Sequence, residues 1–146
     1  MKSNAMRLGA CLILASLASP AAANDIFIAS AYPDWSVQVD GGPVQTNPTI
    51  TLIRGETYNF NVSGLFSGFH TFYIKTAISP LGEDAYAGSG LSENGISSDT
   101  TALSPITFTV PQDAPDTLYY VCGNHSTSMA GTIMIDGVFR NGFELP

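Results

Sequence analysis

From Ile26 onward apolar and polar positions alternate with a period of two, and turn-forming residues separate the runs. Val37 and Val39 alternate with Ser36, Gln38 and Asp40 before Gly41-Gly42-Pro43. Thr49 to Ile53 leads into a Gly55-Glu56 turn, after which Tyr58, Phe60 and Val62 share one face. Phe69 to Lys75 forms a further run with His70, Phe72 and Ile74 on one side. Ile106 to Val110 alternates Ile, Phe and Val with Thr until Pro111 stops it, and Leu118, Tyr120 and Cys122 mark the next run. Thr132 to Ile135 is the last. The pattern predicts seven or eight short strands, with no sustained helical periodicity and no internal repeat. A β-sandwich follows, because two sheets can each bury one alternating face.

Three stretches break this pattern. Residues 76–105 are polar and rich in Gly, Ser, Ala and Asp, with an Asn94-Gly95 turn signal. A connection of that length inside one domain is usually functional or mobile, with room for a short helix or an extra hairpin. At the start, Lys2 and Arg7 precede an apolar run from Leu8 to Ala18, followed by Ser19, Pro20 and Ala21-Ala22-Ala23, the layout of a cleavable secretory signal. The run is too short for a bilayer core, which needs about 20 residues. The expected division is a signal peptide over 1–23, a folded domain over 24–136 and a tail over 137–146. No membrane span remains after cleavage, and the expected location is periplasmic or secreted.

Composition narrows the options. A length of 146 residues suits one domain, and 45% hydrophobic content is enough for a packed core. Charged residues make up only 12%, and the 12 acids against 5 bases give a formal charge of −7. Without Lys2 and Arg7 only Arg54, Lys75 and Arg140 oppose the same 12 acids, a formal −9. So few cations cannot form the basic face that phosphate neutralisation requires, which excludes a nucleic-acid partner. Loss of Cys11 with the signal leaves Cys122 as the single thiol, so no intrachain disulfide can form.

That lone cysteine lies in Tyr120-Val121-Cys122-Gly123-Asn124-His125-Ser126-Thr127-Ser128-Met129, a Cys-x2-His-x3-Met spacing with a predicted strand on each side. Thiolate, imidazole and thioether are soft or borderline donors that favour copper over calcium, magnesium or manganese. One more nitrogen completes a His2Cys trigonal set with a weak axial methionine, and His70 is the only other histidine. Each residue has an ordinary alternative: a small buried thiol, a gap-filling methionine, a surface or core imidazole. For all of those to hold, the only mature cysteine, both histidines and a methionine must fall into this order by accident. No Gly-x-Ser-x-Gly elbow or phosphate-binding glycine loop competes, and Glu83-Asp84 reads as a solvated pair.

The Cys122 to Met129 stretch resembles the copper loop of the cupredoxins, the blue copper family that includes plastocyanin and pseudoazurin. Phe69-His70-Thr71-Phe72-Tyr73-Ile74 is similar to the family's first-histidine strand, and Met129 to Ile135 to its exit from the loop into the last strand. The resemblance spans about Ile50 to Ile135. It implies a cupredoxin-like Greek-key β-sandwich, with His70, Cys122 and His125 as equatorial copper ligands and Met129 as axial ligand. It further implies a monomeric electron carrier rather than an enzyme, its partner a redox protein with a basic docking face. Copper storage or delivery, and a sandwich used for adhesion or assembly, are the alternatives. Two departures from the family stand out. The His125 to Met129 spacing is one residue shorter than in plastocyanin, and Thr71 replaces an asparagine that ties the two ligand loops together in many members. Asn124 or Ser126 is the expected substitute for that tie. Leu65, Phe66 and Phe69, preceding His70, are candidates for an apolar docking surface, with ordinary core as the alternative.

Overall fold

Period-two alternation produces ten strands among the described residues of the computed structural model, which are 24–65, 69–97 and 105–137. In chain order they are β1 (Asn24–Ala31), β2 (Asp34–Val39), β3 (Gln45–Thr46), β4 (Ile50–Ile53), β5 (Thr57–Gly64), β6 (Thr71–Lys75), β7 (Ile96–Ser97), β8 (Ile106–Thr109), β9 (Thr117–Cys122) and β10 (Ala130–Asp136). Eight have four or more residues, the upper end of the expected number, while β3 and β7 are two-residue additions. The expected signal segment 1–23, Phe66, residues 98–104 of the long connection and the tail beyond Gly137 lie outside the described residues. Among those that are described, no helix is long and apolar enough to cross a membrane.

One sheet runs β3-β2-β1-β5-β8 and the other β4-β10-β9-β6-β7. The chain switches sheets repeatedly, and β5 and β10 lie parallel to β1 and β4 respectively in otherwise antiparallel surroundings. This is the Greek-key sandwich expected from the resemblance to cupredoxins. Ile26, Ile28, Trp35, Val37, Tyr58, Phe60, Ile106 and Phe108 of the first sheet face Leu52, Phe72, Ile74, Leu118, Tyr120 and Ile133 of the second, all buried. Each such side chain fully withdrawn from water contributes roughly 1.5–3 kcal/mol, which makes this layer the main source of stability. Phe60 and Phe72 meet across it with ring centroids 5.9 Å apart.

Close approach dictates one residue in this packing. A Cβ on Gly131 would stand 2.0 Å from the Tyr120 ring, so only glycine lets that ring lie across β10. Tyr120 then reaches the carbonyl of Pro48 with its hydroxyl, donating at 2.6 Å. The long connection after β6 holds no helix in its described part. Instead β7 pairs with the start of β6, and the Asn94 side chain bonds both backbone groups of Ile74, donating to its carbonyl at 2.8 Å and accepting from its N–H at 2.9 Å. A side chain thus closes the sheet edge where β7 is too short to do so.

Candidate metal centre

Strand register assembles the site. β6 and β9 pair antiparallel with Phe72 opposite Cys122, so the residue entering β6 lies beside the residues leaving β9. Gly123 continues the ladder, donating its N–H to the Thr71 carbonyl at 2.9 Å. β9 and β10 form a hairpin in which the Cys122 N–H donates to the Met129 carbonyl at 2.8 Å. Within the connecting loop the His125 carbonyl accepts from Ser128 N–H at 3.1 Å and from Met129 N–H at 2.8 Å. That single tight turn draws Met129 back toward His125.

The result brings three of the four expected residues into one cluster by direct contact. Cys122 Sγ is 3.6 Å from Nδ1 of His70 and 3.6 Å from Nδ1 of His125. The ligand atoms of all three lie within 4.8 Å of one another. Donors arranged around a shared ion at about 2.0–2.3 Å stand roughly 3.5–4 Å apart, so the spacing fits a bound metal. A thiol between two imidazoles selects copper or zinc over hard cations, and copper outcompetes zinc for such donors. Met129, fully buried, follows in the same loop, its backbone bonded to both Cys122 and His125. A thiol beside an imidazole is also the pairing of a cysteine nucleophile, but Cys122 has no exposed surface for a substrate to reach.

Electrostatics favour the ligand forms. His70 is 7% exposed, and burial, followed by repulsion from His125, holds its pKa below the ordinary histidine range. Its neutral imidazole is the form that binds metal. The two histidine rings stand 4.9 Å apart. His125 is the more exposed of the pair, and the edge of Tyr32 packs against it at 5.4 Å.

The surroundings depart in part from expectation. Asn124 does tie the ligand loops together, its Nδ2 donating to the Phe69 carbonyl at 3.1 Å. Of the expected docking residues, Phe69 is 69% exposed whereas Leu65 is 9% exposed and belongs to the core. Leu65 is out of phase with Tyr58, Phe60 and Val62 and turns inward because a turn, in which its N–H donates to the Val62 carbonyl at 3.2 Å, ends the alternation after β5. Tyr32, 71% exposed and against His125, is an apolar surface residue that alternation could not place there.

Two further residues escaped the sequence reading. Trp35, the only tryptophan, donates its Nε1–H to the Met129 carbonyl at 2.8 Å and packs edge-on to His70 with ring centroids 6.1 Å apart. Asn47 donates from Nδ2 to the Ser128 carbonyl at 3.1 Å. Trp35 keeps the inward parity of Val37, and Asn47-Pro48 resembles a plain turn, so neither pattern separates them from ordinary core and loop.

No protein-family model and no curated protein matches the sequence. Among solved structures, a variant of rusticyanin is 25% identical, with 77% of this chain and 76% of that one covered and a TM-score of 0.46. Reduced rusticyanin is 26% identical, with coverage of 77% and 78% and a TM-score of 0.43. Rusticyanin from Thiobacillus ferrooxidans is 23% identical, with coverage of 77% and 76% and a TM-score of 0.40. Rusticyanin is a copper protein.

Proposed function

We propose that this chain is a type 1 (blue) copper protein, periplasmic or secreted, that carries single electrons between larger redox proteins. The observation that carries the reading is the cluster of His70, Cys122 and His125, with ligand atoms within 4.8 Å and the cysteine sealed from solvent. His70, Cys122 and His125 would hold the copper, with Met129 as the weak fourth donor. Copper held there supplies a one-electron couple. The chain's own part is to present the donors from a rigid sandwich, so that both oxidation states meet nearly the same ligand geometry. With four protein donors no position is left open for substrate, and catalysis at the metal is not expected.

His125, the more exposed imidazole, is the exit for the electron, with the exposed ring of Tyr32 against it and the exposed Phe69 tied through its carbonyl to the neighbouring Asn124. A mature charge of −9 favours a partner with a basic docking face. The interface of such a transient encounter is small, and association weakens as salt screens the charges. Storage or delivery is the second reading. Complete burial of the thiol argues against it, because handing copper over through the thiolate needs that sulfur exposed.

Titration of the purified protein with Cu(II) tests this directly. An intense visible thiolate-to-copper band that saturates at one ion per chain is expected, together with fast reversible one-electron cycling. Cys122→Ser should bind no coloured copper while its circular dichroism stays that of a β-protein. A pale product with ordinary tetragonal copper signals would sink the reading. Colour without reversible cycling would favour storage or delivery.

A further inference from the structure

Two side chains from the first sheet reach across the core to hold successive carbonyls of the ligand loop in the second. Trp35 on β2 donates Nε1–H to the Met129 carbonyl at 2.8 Å, a buried bond between residues 94 positions apart. Asn47, just after β3, donates Nδ2–H to the adjacent Ser128 carbonyl at 3.1 Å. The two holders also fix each other. Trp35 N–H donates to Asn47 Oδ1 at 2.8 Å, and Asn47 N–H donates to the Trp35 carbonyl at 3.1 Å. Asp34 Oδ1 takes a further bond from Asn47 Nδ2 at 2.7 Å. The Trp35 ring is wedged between Phe72 and His70, each with its centroid 6.1 Å away.

We propose that Trp35 and Asn47 act as a clamp that sets the position of Met129, so that the opposite sheet, and not only the loop, fixes the axial side of the metal centre. This deepens the copper reading and rests on it. The loop's own bonds fix only where its two ends meet: Cys122 N–H to the Met129 carbonyl, and the turn back to His125. Asn124 and Gly123 anchor the other end of the loop to Phe69 and Thr71, which leaves the Ser128–Met129 end the freedom to pivot about the end of the β9–β10 hairpin. Grips on two consecutive carbonyls from outside the hairpin remove that freedom before any metal binds. Both are positioning residues, since neither offers a metal donor. The axial donor's placement tunes the reduction potential of such a centre, so a loosened clamp should alter the potential while leaving the ligand set intact.

Trp35→Phe keeps an aromatic ring but removes the donor and leaves a cavity where the larger indole stood, while the Met129 carbonyl still accepts from Cys122 N–H, so no buried acceptor is orphaned. Asn47→Gly removes the second grip at a residue whose φ of +43° glycine accepts readily. Each variant should still bind one copper and turn blue. Its midpoint potential should move upward, because a thioether presented less firmly supports Cu(II) less well, and the relative intensities of its visible bands should change. In the metal-free wild type, amide exchange at Ser128 and Met129 should be as slow as in β9, and should accelerate in Asn47→Gly. Variants with unchanged potential and band ratio, or wild-type amides that exchange freely until copper is added, would overturn the clamp. Should Trp35→Phe fail to fold, Asn47→Gly and the wild-type exchange decide alone. A wild-type protein that binds no blue copper overturns the reading beneath, a result the variants cannot mimic.

Discussion

Asn124 shows how a single residue can replace a missing one. Its amide bonds the Phe69 carbonyl and so ties the loop carrying His125 to the residue before His70, the restraint that Thr71 cannot supply. The bond is exposed, so its removal by Asn124→Ala should cost about 0.5–1 kcal/mol, read as a lower urea midpoint of the metal-free protein. If the bond also holds the ligand pair together, copper loss to a chelator should quicken by about twofold to fivefold, the same energy expressed as a rate. Equal chelation rates would show that the tie is structural only. At this scale the sequence was explicit about the ligands, because Cys122, His125, Met129 and His70 are rare residue types at a telling spacing. It was silent about Tyr32 and Trp35, whose roles depend on which partner their rings meet across 94 or so residues of chain.

At the level of elements, the described part of the long connection after β6 is a strap over the outer face of β6, not an open loop. Lys75, at the end of that strand, is fully buried, and its ammonium donates to the carbonyls of Ser79 at 2.7 Å and Leu81 at 2.5 Å over the Tyr73 ring. Burial pushes its pKa down, while Asp84, Glu83 and Cys122 pull it back. Leu81 in turn donates its N–H to the Gly123 carbonyl at 2.7 Å, beside the ligand loop. Gly123 has no room for a side chain there, since a Cβ would stand 2.9 Å from the Tyr73 ring. Lys75→Met leaves the strap's carbonyls unsatisfied, and a loss of about 1–3 kcal/mol in urea unfolding is expected. No change in stability would mean that the strap holds without its lysine. Alternation located β6 and β9, but a polar segment such as 76–84 carries no periodic signal. Its structure comes from a buried cation bonded to backbone oxygens, which composition cannot reveal.

Across the whole molecule, Tyr86 links this strap to the core, its ring edge-on to Phe108 of the first sheet at 5.7 Å. Burial, with Asp113 second, raises its pKa above the ordinary value of 10.0. The folded protein therefore holds that proton more tightly than the unfolded chain. Its stabilising contribution is intact below about pH 10 and is lost as the pH climbs toward the raised pKa. Urea midpoints measured across that window should fall more steeply in the wild type than in Tyr86→Phe, and parallel slopes would refute the assignment. Sequence alone determined the strand content, the two-faced sandwich and the identity of the candidate ligands, because period two and residue chemistry are local properties that survive without coordinates. Which strands pair, and hence that His70 meets Cys122, was decided only by tertiary structure through the Phe72–Cys122 register. The same is true of the Trp35 and Asn47 grips on the ligand loop, because a hydrogen bond between distant residues exists only once two sheets have packed face to face.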